Sequence, residues 1–592
     1  MRDVRALREL RRGQLLALLL VFVLVWFGTL DQRRLINPDE GRYSEIPREM
    51  VASGDWLTPR LNDFKYFEKP ALQYWATAAA FTVFGEHHWT ARLWPALTGF
   101  LGVIFTAFAT ARLFGAQAGL VAGAILGGSV LWNVIGHVNT LDMGVSFFLA
   151  AAVFALCLAQ RDGAIPAESR RWQDGAWVLL ALAILSKGLI GLVLPAATVV
   201  AYAVWQRDLG FIARIRPFRG LLILLAITAP WFIAVSIANP EFARFFFIHE
   251  HFERFLTKAH GRYQPMWYFI PILLLGMLPW LGSLLQGLAA GLGREAGCRF
   301  QPRRFLLVWT VLVFVFFSVS SSKLASYILP IFPTLAALIG IHLTGHVAAR
   351  RVEWHALPAV IIGGACLFMV PQVTRFASEK VPAALYEAYK PWLYGGSAAL
   401  LLGGLLAFWL ARQGRSVAAV FSIAFGGFAF GQGFLLGHDS LGAANSAHDA
   451  VAAIRSQVPH DAPFFSVDTY DQSLQFYLRR TTTMVAYKDE LGFGISREPQ
   501  KFIPDLAGFE RAWSAAPVAW ALMSPATAKS LTEKGLPMTE AFRDTRRVIV
   551  KKSPLPNPLP TAGGDDCSAS PGAASVSKNG AGLGRTCAGA KP

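Results

Sequence analysis

Residues 1–50 read MRDVRALRELRRGQLLALLLVFVLVWFGTLDQRRLINPDEGRYSEIPREM, a basic start, an apolar run from Leu15 to Leu30, and then a stretch dense in charge. No small-residue cleavage site follows the apolar run, so it is expected to stay as a first transmembrane helix rather than leave as a signal peptide. Beyond it, Asn37 reads as a helix N-cap, Pro38 as the first helical residue and Glu40 as the distal partner of a capping box, with Pro47 ending the helix within about two turns. On that reading Asp39 and Glu40 only complement the helix dipole, and a chemical role for Asp39 depends on what else shares its side of the membrane.

The rest of the chain settles the class. Of 592 residues, 54% are hydrophobic and 16% charged. Mean hydropathy is +0.41. Apolar runs long enough to cross a bilayer recur near 15–30, 92–112, 117–136, 142–160, 175–186, 189–205, 219–238, 267–290, 305–318, 326–346, 356–373, 392–411 and 416–436, which predicts about thirteen spans. The runs are continuous rather than alternating, which excludes a β-barrel. The expected fold is therefore an all-α polytopic membrane protein carrying a small α/β domain.

A net charge of +17 does not point to nucleic acid, because the arginines sit in short loops in alternate connections. Those loops are assigned to the cytoplasm. The opposite set faces outward: 31–91, 137–141, 187–188, 239–266, 319–325, 374–391 and everything after about 437. It contains every long loop, and ordering a long loop costs entropy that a short connector avoids. A site is expected there. The five cysteines show neither a disulfide framework nor metal-ligand spacing.

Residues 441–552 alternate helical patterns (HDAVAAIRSQV, DQSLQFYLRR, GFERAWSA) with short apolar strands (PFFSV, TMVAY, VAWALM, RRVIV), as in a small α/β domain. No glycine-rich phosphate loop accompanies them. Residues 553–592, rich in Pro, Gly, Ser and Ala, read as a disordered tail. The expected division is thus a membrane domain over 1–440, an outward α/β domain over 441–552, and the tail.

Positive-inside sorting leaves the outward-facing cations unexplained: Arg42, Lys65, Lys69, Lys187, Arg254, Lys258, Arg262 and Lys323. Cations gathered at headgroup depth suit a lipid-linked phosphate, although single ones also snorkel. In YFEKP (66–70) Lys69 precedes a proline that opens the next helix, and in SSSKLASYILP (320–330) Lys323 and Tyr327 share a face if helical. In FFFIHEHFERF (245–255) His249 and Glu253 lie at i and i+4, a spacing that holds a divalent metal if another residue such as Glu68 joins them; a solvated amphipathic helix fits the same run. Asp142 opens a span on the outer side, where a charge is costly enough to raise the case for function.

In order, NPDEGRYSEIPREM, YFEKPALQYW, RLWPALTGF, NTLDM, LSKGL, HEHFERF and SKLASYILP resemble the bacterial aminoarabinose transferases, GT-C glycosyltransferases related to the protein O-mannosyltransferases. The resemblance covers roughly residues 10–440. It implies a multi-span enzyme of the bacterial inner membrane with its site at the outer interface, two juxtamembrane helices in the first loop, and a sugar donor on undecaprenyl phosphate. It implies catalytic roles for Asp39 and Asp142, donor-phosphate roles for Lys69, Arg254 and Tyr327, and site-lining roles for Arg42 and Tyr66, beside which Lys323 is also placed. It places a possible zinc- or magnesium-like ion at Glu68 with His249 or His251, and no cofactor is otherwise required. Lipid A is the expected acceptor, with another sugar passed to protein or envelope glycan as the alternative. A transporter of the lipid-linked sugar is disfavoured, because no internal repeat appears and the polar groups gather at one face.

Overall fold

The first apolar run becomes the helix Arg12–Gly28, and its Trp26 turns inward, fully buried, to donate from Nε1 to the Ala96 carbonyl at 2.9 Å. The structure, a computed structural model, describes residues 12–253, 263–345 and 352–552; the expected tail and Arg254, Lys258 and Arg262 lie outside those residues. Met1–Lys552 forms one unit.

Among the described residues eight helices are long and apolar enough to cross a membrane, or ten if Ala116–Gly136 and Met266–Ala290, each bent sharply at a break, count as single spans. That is fewer than thirteen. The other expected positions hold Arg12–Gly28, Pro166–Lys187 and Ile190–Gln206, which are too short or carry too much charge to qualify by length and apolarity alone. Leu141–Gln160 is buried almost throughout at the centre of the bundle, while Pro217–Ala238 leaves most of its surface for lipid.

The first loop folds into two helices, Asp39–Ser53 and Leu72–Phe84, joined by a hairpin that pairs Arg60–Leu61 with Phe64–Lys65. Asp39–Ser53 is polar in composition, yet every residue from Glu40 to Met50 is buried. Three neighbours make this possible by supplying partners for its charges. From the bundle comes Arg92; from the hairpin, the Asn62 and Asp63 amides donate to Glu49 at 2.5 and 2.8 Å; within the helix, Arg48 holds Glu45 in a bidentate pair at 2.6 Å.

Two sequence expectations for this helix are corrected. Asn37 is not its cap: the helix begins at Asp39 behind a cis Asn37–Pro38 peptide, and the Asn37 side chain is turned away to Asp471. Glu40 does reach back, but to the Ile36 amide at 3.1 Å. Nor does Pro47 end the helix, which runs on to Ser53 and stops at Gly54, whose φ of 75° closes the last turn onto Met50.

The C-terminal region forms a six-stranded sheet. In spatial order its strands are Phe502–Ile503, Thr483–Val485, Phe464–Val467 and Trp520–Met523, all parallel, then Val548–Lys552 and the edge strand Met538–Arg543, both antiparallel to their neighbours. Four of these were predicted; Phe502–Ile503 is too short, and Met538–Arg543 too polar, to announce itself. This sheet domain packs on the first loop. Gly41 and Gly494 sit where a Cβ would come within 2.6–2.7 Å of the opposing backbone, at Gln472–Ser473 and at Lys65 respectively. The Asn62 side-chain amide donates to the Thr482 carbonyl at 2.8 Å and accepts from the Thr482 amide at 2.7 Å.

Candidate active site

Three bundle elements end at one place. Leu141–Gln160 starts there with Asp142, Pro166–Lys187 finishes there with Lys187, and the 3-10 turn Ala325–Ile331 brings Tyr327. The first loop closes over them. The result is a small open-mouthed cavity lined by Asp39, Arg42, Tyr43, Glu68, Lys69, Thr140, Leu141, Asp142, Lys187, Leu324 and Tyr327.

The two acids have different surroundings. Asp142 is buried and firmly held: Lys187 Nζ pairs with one oxygen, and Ser326 Oγ donates to the other at 2.7 Å. Lys187 also stands 4.5 Å from the centre of the Tyr327 ring, so Tyr327 presents its face to a cation. Asp39 is 41% exposed on its side chain, and its contact with Arg42 Nη1 is a loose 3.4 Å. It is the more available carboxylate. Lys69 is bonded to the Glu68 carbonyl at 2.7 Å and to the Glu250 carboxylate at 3.2 Å, so its ammonium already stands at an anion position.

Glu40, next to Asp39, settles elsewhere. It has no exposure, takes Arg92 bidentately at 2.7 and 2.9 Å, accepts from the Asn139 and Ile36 amides at 3.1 Å each, and lies 3.6 Å from Arg33. Burial alone would raise its pKa, but Arg92 and Arg33 outweigh that and bring it down to about 2. Glu40 is thus a fixed anion in a closed junction, and the cavity acid is Asp39.

Of the residues singled out in sequence, Asp39, Asp142, Lys69, Lys187, Tyr327, Arg42 and Glu68 meet in the cavity. Tyr66 does not line it; it is 2% exposed beside Arg42, with no hydrogen-bond partner for its hydroxyl among the described residues. Lys323 is also corrected. Leu324 is extended and the helical turn starts only at Ala325, so Lys323 and Tyr327 share no face; Lys323 donates instead to the Gln264 carbonyl at 2.8 Å and to that of Ser320. Arg254 and the side chain of His251 lie outside the described residues.

The metal expectation finds no support. Residues Arg244–Glu253 wind as a π-helix, whose wider turn takes positions four apart out of register. His249 stacks on Phe245, ring centres 5.2 Å apart, and among the described residues no three His, Cys, Asp or Glu side chains gather as a metal-holding group.

Sequence reading missed Thr140 and Tyr43, and above all the sheet domain's share. Glu490 pairs with Arg42 Nη2 at 2.5 Å. Phe493 stacks on Phe245 with centroids 3.9 Å apart and packs on Phe67. These partners lie hundreds of positions away, and no local pattern marks them.

Two family models match: residues 450–552 fit the aminoarabinose transferase C-terminal domain, and residues 68–233 fit the dolichyl-phosphate-mannose-protein mannosyltransferases. The undecaprenyl phosphate-alpha-4-amino-4-deoxy-L-arabinose arabinosyl transferase of Shewanella sediminis is 34% identical over 381 residues, 63% of this chain and 68% of that protein. Its counterpart from Proteus mirabilis is 37% identical over 335 residues, 55% of this chain and 59% of the other. Among solved structures, ArnT from Cupriavidus metallidurans bound to undecaprenyl phosphate superposes with a TM-score of 0.88 at 37% identity, covering 94% of this chain and 100% of that one. The apo form of the same protein gives 0.85 at 36% identity, covering 92% and 99%.

Proposed function

Because the chain belongs to the bacterial aminoarabinose transferases, GT-C glycosyltransferases related to the protein O-mannosyltransferases, we propose that it moves 4-amino-4-deoxy-L-arabinose from undecaprenyl phosphate to a phosphate of lipid A. The observation that carries this reading is the convergence of Asp39 and Asp142 with Lys69, Lys187 and Tyr327 on one cavity at the ends of bundle elements. On this reading the chain lies in the inner membrane with its N-terminus cytoplasmic. The cavity and the domain over 441–552 then face the periplasm.

The leaving group is the lipid phosphate, and its charge grows as the anomeric C–O bond breaks. Lys69 and Arg42 answer that charge electrostatically. The phosphate takes the place beside Lys69 that Glu250 holds at 3.2 Å, exchanging one anion for another. Asp142, locked between Lys187 and Ser326, fixes the cavity wall behind the sugar, and the aromatic face of Tyr327 flanks it.

Asp39 then works on the other side of the reaction. A lipid A phosphate is already anionic and needs no base, so Asp39 stabilises the positive charge developing at the anomeric carbon and orients the sugar's ammonium. With a hydroxyl acceptor the same carboxylate would take the proton. The acids stand on separate segments, one half-open and one locked, which supports a single inverting displacement over a covalent intermediate.

The test is transfer by purified protein, wild type and Asp39→Asn, from undecaprenyl-phosphate-linked aminoarabinose to lipid A, with other lipid-linked sugars and a protein acceptor in parallel. A folded Asp39→Asn protein that binds donor but does not transfer supports the assignment. Wild-type turnover by that variant would end it, and preference for another donor or acceptor would redirect the reading to the related enzymes.

A further inference from the structure

The turn that carries Asp39 is gripped from the sheet domain at three points. Asn37 donates from its side chain to Asp471 Oδ1 at 2.6 Å, and its amide donates to the Asn445 carbonyl at 2.9 Å. Gly41 lies against the Gln472–Ser473 backbone with no room for a methyl group. Arg42 is held by Glu490. The grips fall two residues before Asp39 and two and three residues after it, so they bracket the position of its Cα.

Asp471 is the centre of this arrangement. It is 7% exposed and accepts from four donors: Asn37 Nδ2, the Ser473 amide at 3.1 Å, Ser473 Oγ at 2.8 Å and Arg547 Nε at 2.6 Å. Arg547, 4% exposed, goes on to the Ala443 carbonyl at 3.2 Å, in the segment that links the last membrane helix to the sheet. A buried carboxylate with so many donors is rigid, since moving it would strand several polar groups at once. None of these residues reaches the cavity.

We propose that Asp471, through Asn37, is a positioning residue for Asp39, and that setting the reach of this acid is a function of the C-terminal domain. The inference rests on the role given above to Asp39. A carboxylate on a helix start displaced by an ångström loses orientation toward the anomeric carbon, while the lipid phosphate, bound by Lys69 on a different segment, still docks. A positioning defect therefore lowers kcat and spares donor binding.

The experiment is a double-mutant cycle with Asn37→Ala and Asp471→Asn on the full-length protein, measuring kcat, donor KM and thermal stability together. Each single variant is expected to lose about tenfold or more in kcat, a size suited to a small misplacement, with donor KM within about twofold, and the double variant to lose little further. Asn37→Ala supplies the answer if Asp471→Asn fails to fold, because it removes the link and leaves the sheet domain's own bonds intact. Multiplying losses in the double variant, or wild-type kcat in both singles, would overturn the proposal. Asp39→Asn runs alongside: if it is inactive while Asn37→Ala and Asp471→Asn are normal, only the positioning inference fails; if it is fully active, the functional reading fails first.

Discussion

Asp39 and Glu40 are adjacent in the chain and belong to opposite kinds of region. The Glu40 junction is closed, with Arg92, Arg33 and two amides around one carboxylate. The cavity around Asp39 is open, and among the described residues its carboxylate has one loose ion-pair partner, Arg42. The first arrangement uses all of a charge's bonding capacity to hold segments together; the second leaves capacity for a reactant. Which acid can do chemistry is decided by what the fold has left unpaired, more than by residue type.

The sharpest way to break that contrast is Glu40→Gln. Removing one partner of a buried ion pair strands Arg92 and Arg33, so stability should fall by about 3–5 kcal/mol, read as a lower Tm. The same group sets a pH dependence. Held at about 2 against an ordinary 4.5, Glu40 contributes stability that is complete above about pH 4.5 and disappears as pH falls toward 2. Glu40→Gln should flatten that slope in acid unfolding curves. On the open side, Asp39→Asn should keep Tm within a degree or two and cut kcat by about 100- to 1,000-fold, the scale of a lost transition-state electrostatic contact.

Lys69→Gln tests the donor side of the cavity. Loss of a charged hydrogen bond worth about 1.5–3 kcal/mol should weaken undecaprenyl phosphate binding by about 10- to 100-fold in a direct binding titration. Lys323→Gln is the smallest and sharpens the contrast from within the cations. Its ammonium is engaged by carbonyls, so donor affinity should stay within about twofold while stability falls by about 1–2 kcal/mol.

The bundle was legible in the sequence because hydropathy over some twenty residues reports burial in lipid directly. The cavity was partly legible: Arg42, Lys69 and Asp142 stood out as charges that loop sorting left unexplained, while Asp39 and Tyr327 were marked by the family resemblance rather than by any local pattern. Local geometry was not. The reading of His249 with Glu253 assumed 3.6 residues per turn where the chain winds a π-helix, and the reading of Lys323 assumed a helix that starts two residues later. Asn37 looked like a cap because nothing nearby reveals that its partner is Asp471, 434 positions on. Long-range polar pairing leaves no period in a sequence.

That separation has a consequence for how the protein is made. The helix Asp39–Ser53 leaves the ribosome early, but the sheet that receives Asn37, Gly41 and Arg42 is synthesised more than 400 residues later. At roughly 5–20 residues per second, about 20–90 seconds pass between the two. During that wait Glu40, Glu45 and Glu49 already have Arg92, Arg48 and the hairpin amides, but Asn37, Gly41 and Arg42 stand without the sheet that later receives them. A chain cut short before residue 445 never supplies that sheet. Completion of the cavity is thereby coupled to completion of synthesis, so truncated products are distinguishable from finished ones by the state of a single early helix.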